Sequence, residues 1–305
     1  GQEKTLGQLF PVSNKARDVV EVFTTLCADL RQEIRCNCDV KAVEKVDDGF
    51  EVSFEQNGII NRVRAPKVVL ASGGLPVQKM GATDFGLRIA RQFGLQIVET
   101  APALVPLSVT GKDAEWFAQL SGNSIFCRVS NENISFEENI LFTHWGLSGP
   151  AILQISSYWR PGETIHIDML PNKSILGILE DERKKGGKKT LLSFLSVFYT
   201  RKFAEALGKY LPVEKNIASL TREELETIRS FIHEFKVKPA GDKGYDRAEV
   251  MRGGVATIEL SSKTLEAKKI EGLFFGGECV DVTGWLGGYN FQWAWASGFV
   301  IAQSL

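Results

Sequence analysis

The chain has 305 residues, 44% apolar and 24% charged, with a formal net charge of −1. That length allows two or three domains with a sizeable core, and the balance is that of a globular protein rather than a disordered one. The near-neutral charge gives no pull toward nucleic acid or an anionic membrane surface, and no apolar run is long enough to cross a bilayer, so neither nucleic acid nor membrane is expected as a partner.

No signal peptide is read at the start. The five cysteines, Cys27, Cys36, Cys38, Cys127 and Cys279, are odd in number and scattered, which predicts reduced thiols in the cytoplasm. Cys36-Asn-Cys38 has no matching second pair, so no metal site is expected. The chain opens Gly1-Gln-Glu-Lys without an initiator Met, as a cut or trimmed chain would.

Ser13 or Asn14 can cap a helix, and apolar residues then recur at Val19, Val20, Phe23, Leu26 and Leu30, which predicts a helix to about Gln32. Runs at 40–46, 50–55 and 59–63 are separated by the hairpin signals Asp47-Asp-Gly49 and Asn57-Gly58, which predicts a three-stranded antiparallel meander. Residues 67–71 read as a buried strand ending in Ser72-Gly73-Gly74. Thr83 or Asp84 caps a helix through Gln92, and the chain leaves the first domain around residues 102–107.

Residues 107–170 read mostly as strand, in runs at 124–129, 134–142 and 163–170, with a turn at Asn131-Glu-Asn133. Pro150 at a first helical position, behind Ser148 or Gly149, marks a helix start. His144 beside it reads as a residue in a structural hydrogen bond, with a ligand-facing role as the alternative, and His166 as solvated. From 176 to 235 the period becomes helical, with a capping box at Thr221-Arg-Glu-Glu224 before Leu225, Ile228, Phe231 and Ile232. Gly186-Gly187, flanked by Lys184, Lys185, Lys188 and Lys189, reads as a solvated loop. The whole stretch predicts a small helical bundle. Arg252 stands where the chain returns, within reach of substrate or cofactor.

Leu273, Phe274 and Phe275 form an apolar run bounded by glycines, suited to a buried strand. Gly276-Gly277 permits close backbone approach, and Glu278 and Asp281 offer acceptors for hydroxyls. Gly284, Gly287 and Gly288 permit a tight loop. Beyond Tyr289 the small residues Ala294, Ala296, Ser297 and Gly298 suit a helix packed closely on a sheet. Its free N–H groups near 288–291 favour an anion or a polarised carbonyl oxygen.

This order of strand, acidic turn and helix resembles the last segment of two-dinucleotide-binding-domain flavoproteins. Gly276-Gly-Glu-Cys-Val-Asp281 followed by Thr283-Gly-Trp-Leu-Gly-Gly-Tyr-Asn-Phe-Gln-Trp-Ala-Trp-Ala-Ser-Gly298 resembles one bacterial family in particular. Phe142-Thr-His-Trp-Gly-Leu-Ser-Gly-Pro150, the Ser72-Gly73-Gly74 turn and Ala248-x-Val250-x-x-Gly253-Gly254-Val255 resemble the same family. It is the HI0933-like or YhiN-like flavoproteins, also called BaiN-like or aminoacetone-oxidase-like, and the resemblance spans essentially all 305 residues.

The resemblance implies an α/β fold. Residues 1–105 plus 255–305 would form an FAD/NAD(P)-binding domain, and 106–173 plus 237–254 an inserted, strand-rich, β-barrel-like domain. Residues 174–236 would be a helical insert. FAD is the implied cofactor. Ser72, Gly73 and Gly74 would lie beside its diphosphate or ribityl chain. Gly277, Glu278 and Asp281 would meet the ribityl or pyrophosphate side. Gly287, Gly288, Tyr289, Asn290 and Phe291 would face the flavin pyrimidine ring. Val40 would meet the adenine through its backbone, or is plain core. The implied activity is a flavin-dependent oxidoreductase passing a hydride between flavin N5 and a small-molecule substrate or NAD(P)H. The alternative is a non-catalytic ligand-binding module that keeps the fold. No catalytic acid or base is named.

The family opens with a βαβ unit whose G-x-G-x-x-G turn seats the pyrophosphate, and this sequence contains no such pattern. The FAD-binding domain is therefore expected to be incomplete. The isolated chain is expected to be inactive and colourless, or to hold FAD weakly, with an exposed sheet edge open to self-association.

Overall fold

The computed structural model describes residues 1–4, 7–186 and 188–305. They form two compact units. One comprises Gly1–Gly74, Thr83–Glu99 and Gly253–Leu305, and the other Leu75–Ala82 and Thr100–Arg252. Among the described residues, no helix is long and apolar enough to cross a membrane.

The first unit is built on a parallel pair. Strand Val68–Leu70 runs beside Leu273–Phe275, with Leu273 opposite Val68 and Phe275 opposite Leu70. Leu273, Phe274 and Phe275 are all buried, the continuous apolar run typical of a strand covered on both faces. The predicted meander is present as Asp39–Val46, Gly49–Gln56 and Ile59–Ala65. Asn57 and Gly58, at φ 54° and 77°, make its second turn in the left-handed conformation that a two-residue hairpin requires.

Three longer helices belong to this unit. Phe85–Gln92 buries Leu87, Ile89 and Ala90. Ala16–Asp29 starts later than its predicted caps, because Asn14 sits at φ 56° and Lys15 takes the N-cap place. It buries none of its residues. Its Phe23 ring stacks on Trp295 of the C-terminal helix Tyr289–Ala302, with centroids 5.1 Å apart. That helix buries only Ser297 and Ile301 and leaves Phe291 and Phe299 exposed.

The second unit carries a seven-stranded sheet. Its order is Phe235–Val237, Ile165–Asp168, Ser124–Ser130, Ser135–Thr143, Gly146–Ser148, Leu107–Ser108 and Gly241–Asp242, with every pairing antiparallel. Along Ser124–Ser130 the buried residues alternate as Ile125, Cys127 and Val129, so one face of the sheet points into a core.

Reading 107–170 as mostly strand missed the helix Lys112–Gln119. It is eight residues long, too short for its period to stand out. Its Trp116 is fully buried, with Phe117, Phe142, Phe203 and Tyr210 around the ring, and its indole N–H donates to the Ala206 carbonyl at 3.0 Å.

Residues 175–233 hold the helices Ile175–Lys184, Leu191–Leu195, Arg201–Ala206 and Arg222–His233. Ser174, Thr190, Thr200 and Thr221 cap them, each accepting a backbone N–H three residues on. Thr221 and Glu224 complete the capping box. Leu179, Phe203, Ile228 and Ile232 join Ile140 and Ile167 of the sheet in one hydrophobic cluster, so helices and strands share a core. In the basic loop, Gly187 lies outside the described residues. Lys184 pairs with Glu180 and Asp181, and Lys185 and Lys189 with Glu182.

Candidate functional site

The site is assembled where the two parallel strands of the first unit end. Beyond Leu70 comes Ser72-Gly73-Gly74, and beyond Phe275 comes Gly276-Gly277-Glu278. Ligands of open α/β sheets bind past the carboxyl ends of such strands. The Gly276 N–H donates to the Leu70 carbonyl at 3.0 Å, which carries the pairing into the turn. The Cys279 sulfur lies 3.1 Å from the Gly276 carbonyl oxygen and 3.5 Å from that of Leu70, tying the two strand ends together. Burial pushes its thiol up to about 12, so it is a structural group rather than a nucleophile.

The glycines leave room for a ligand in one place and for a side chain in another. Gly73 and Gly277 have φ of 74° and 69°, and among the described residues nothing beyond their chain neighbours lies within 4 Å of where a Cβ would stand on either. At Gly74 a Cβ would stand 2.8 Å from the Glu278 carboxyl carbon and from its Oε1. The bare backbone of one turn is thus the bed on which the carboxylate of the other lies. Ser72 is held on its far side by a second such contact, because a Cβ on Gly86 would meet its Oγ at 2.7 Å.

The third wall is the start of the C-terminal helix. Gly288, at φ 90°, is the N-cap, and no side chain of the described residues caps the first turn. Its amides therefore keep the partial positive charge that favours an anion or a polarised oxygen. The preceding loop is closed by Asn290. Its Oδ1 accepts the Gly284 N–H at 2.8 Å, and its Nδ2 donates to the Gly284 carbonyl at 3.1 Å. The Asn290 side chain is thereby engaged, and what it offers a ligand is its backbone. Tyr289 and Phe291 are exposed.

The structure thus brings Ser72, Gly73, Gly74, Gly277 and Glu278 together and joins Gly277 to the helix that begins at Gly288 and Tyr289. Asp281 follows in the same segment, half-buried, its N–H donating to the Val255 carbonyl at 2.9 Å. Val40 lies apart in the meander, paired with Phe54 beside a bulge, and no hydrogen bond among the described residues joins it to the glycine turns.

Sequence reading missed Trp293 and Ser297, which bond both peptide groups of Gly277. Ser297 read there as one of the small packing residues, and the Trp293 indole stood unremarked within the family motif.

Three polar residues of the second unit have structural surroundings. His144 is an exposed residue at the tip of the Thr143/Gly146 hairpin, in ring contact with Trp145, and makes no hydrogen bond among the described residues. The structural bond expected of it is not there, because a hairpin tip points into solvent. The Arg252 guanidinium donates to the carbonyls of Trp159 at 2.9 Å and Ser157 at 3.3 Å, capping the end of helix Pro150–Ser156. Burial and the nearby Arg160 lower its pKa.

His233, unremarked in the sequence, has Nδ1 2.8 Å from Asp168 Oδ1, and its Nε2 accepts the Ile175 N–H at 3.2 Å. The ring thereby ties Asp168 to the start of helix Ile175–Lys184. No group of three or more His, Cys, Asp or Glu able to hold a metal occurs among the described residues.

The donor set fits a flavin-type dinucleotide on structural grounds: open space beside two left-handed glycines, a carboxylate for hydroxyls, and an uncapped helix start.

Comparison with known proteins follows the same line. Residues 1–304 match the HI0933-like protein Rossmann domain. The chain is 41% identical over 305 residues to a ribosomal RNA dihydrouridine synthase of Escherichia coli, covering 99% of this chain and 75% of that protein. It is 37% identical over 305 residues to the protein of that name from Haemophilus influenzae, covering 99% and 76%. It is 26% identical over 314 residues to a 3-dehydro-bile acid delta(4,6)-reductase of Clostridium scindens, covering 98% and 75%. The chain therefore belongs to the HI0933-like family, a family of flavoprotein-type oxidoreductases.

Proposed function

We propose that this chain carries the flavin-contacting part of an FAD-dependent reductase. Its substrate reaction adds two hydrogens across a carbon–carbon double bond conjugated to a carbonyl, and the substrate is a uracil base of ribosomal RNA. The observation that carries the flavin reading is the Glu278 carboxylate lying on the bare backbone of Gly74, at the joined ends of two parallel strands.

The relatives' names share one chemistry. Dihydrouridine differs from uridine by two hydrogens across C5 and C6, next to the C4 carbonyl. A delta(4,6)-reductase acting on a 3-dehydro steroid addresses double bonds conjugated to the C3 carbonyl. Identities of 41% and 37% to the RNA-directed proteins, against 26% to the steroid reductase, favour the RNA base. The expectation of no nucleic-acid partner rested on net charge alone, and the charge is unevenly spread. Residues 173–243 hold fifteen Lys and Arg against ten Asp and Glu, a local excess suited to phosphate.

When bound, FAD supplies the two-electron chemistry, with NAD(P)H as reductant and the substrate carbon as hydride acceptor. The protein's part is to bind and orient. Glu278 accepts hydrogen bonds from the hydroxyls of the ribityl chain. Gly73 and Gly277 let that chain approach the backbone. The first amides of the C-terminal helix favour negative charge on the pyrimidine ring.

The test is nucleoside mass spectrometry of ribosomal RNA from a strain lacking the gene. One dihydrouridine is expected to disappear, to return with the complete gene and to return less fully with Glu278→Ala. Unchanged dihydrouridine, with intact flavin binding and NAD(P)H oxidation, would overturn the RNA substrate in favour of a small-molecule enone. Purified full-length protein that takes up no FAD would overturn the flavin reading itself.

A further inference from the structure

We infer that Trp293 and Ser297 are positioning residues of the flavin site, clamping Gly277 so that Glu278 and the start of the C-terminal helix are held in one arrangement. The inference rests on the flavin reading above.

Gly277 stands between two peptide groups, and the helix holds both. Its N–H, part of the 276–277 peptide, donates to Ser297 Oγ at 2.9 Å. Its carbonyl, part of the 277–278 peptide, accepts the Trp293 indole N–H at 3.0 Å. Fixing the planes on either side of one residue fixes its φ and ψ. Glycine is the residue for which this matters most, since it has no Cβ to restrict it.

The hydroxyl of Ser297 is itself oriented. It donates to the Ala294 carbonyl at 3.0 Å, which leaves a lone pair for Gly277. Positions 293 and 297 are four apart and share a helix face. The next position on that face, Ile301, has its Cδ1 2.9 Å from where a Cβ on Gly276 would stand, so a side chain there would force helix and turn apart. Ser297 is 1% exposed, so the bonds of its hydroxyl do not compete with water.

The 277–278 peptide also places the Cα of Glu278. A rotation there would swing the carboxylate off Gly74. The helix that makes the clamp is the one whose uncapped first turn begins at Tyr289, one turn before Trp293. Acceptor and donor parts of the site are thus tied through one glycine.

The test uses the full-length protein with three single changes: Ser297→Ala, Trp293→Phe, which keeps a ring but loses the N–H, and Ser304→Ala as control. Among the described residues the Ser304 hydroxyl donates only to the Val300 carbonyl, away from Gly277. Amide hydrogen exchange at Gly277 without flavin should quicken about tenfold in Ser297→Ala, the effect of losing one well-made hydrogen bond. The FAD dissociation constant should rise about 3- to 10-fold in both clamp variants. The bound flavin's visible bands should shift as well, which a change in stability alone would not produce. Ser304→Ala should leave all three at wild-type values.

Exchange at Gly277 unchanged in Ser297→Ala would overturn the inference. So would faster exchange with wild-type FAD affinity and spectrum. FAD uptake equal in wild type and variants defeats this inference alone, whereas no uptake by wild type defeats the flavin reading and this inference with it.

Discussion

Gly74→Ala separates the role of Glu278 from the stability of the turn that supports it. Gly74 does not have positive φ, so alanine meets no backbone strain and restricts the unfolded chain, a gain of about 0.4–1 kcal/mol. Against this, the new Cβ would stand 2.8 Å from the Glu278 carboxyl carbon and Oε1 and 3.1 Å from its Cγ. These atoms end a flexible side chain, so the carboxylate can swing away for about 0.5–1.5 kcal/mol of rotamer cost, and it also gives up the interaction it makes where it lies. The first two terms nearly cancel, and the melting temperature should fall by only a few degrees.

FAD affinity should not. Displacing the carboxylate removes at least one hydroxyl acceptor, worth about 0.5–1.5 kcal/mol, or roughly a 2- to 10-fold weaker dissociation constant. Flavin fluorescence titration of Gly74→Ala, Glu278→Ala and the double variant reads this directly. Since Gly74→Ala acts only by moving Glu278, it should have no effect in the Glu278→Ala background. Wild-type affinity in Gly74→Ala, or an equal further loss in the double variant, would refute the reasoning.

Other consequences can be checked separately. Gly86→Ala places a Cβ 2.7 Å from Ser72 Oγ in the helix Phe85–Gln92. Alone it should bring little of the roughly 1 kcal/mol that alanine adds to a helix, and combined with Ser72→Ala it should deliver most of it, as read by urea unfolding. Burial holds the Cys279 thiol up at about 12, against 9 for an ordinary thiol. The unfolded state therefore loses this proton first, and its contribution to stability is complete below about pH 9 and lost as pH rises toward 12. In native protein at pH 8, iodoacetamide should label the exposed Cys36 and spare Cys279, and labelling of both in peptide mass spectrometry would show that the site is open. His233→Ala removes the acceptor of the Ile175 N–H and the partner of Asp168. It should cost about 1–3 kcal/mol of unfolding free energy, and a loss below about 0.5 kcal/mol would mean the pair contributes nothing.

Much of this protein was legible in short stretches because the deciding physics is local. Asn57-Gly58 makes its hairpin since both positions take positive φ, and Thr221 and Glu224 cap each other over one helical turn. Leu273 to Phe275 read as a buried strand by continuous apolarity alone, and the wording after it identified the family. The helix Lys112–Gln119 was not legible, since eight residues show too little period and its worth lies in Trp116 entering a core built from segments far along the chain.

The site divides the same way. That Gly74, Gly277 and Glu278 belong to glycine turns behind strands was written in the sequence. Tertiary structure alone decided that Glu278 lies on Gly74, about two hundred positions away, and that Trp293 and Ser297 grip Gly277 rather than pack as ordinary helix residues. It also turned Arg252 onto carbonyls more than ninety residues distant. Periodicity states which face of an element is apolar. It does not state which remote backbone group will lie against that face, because that depends on how whole elements pack.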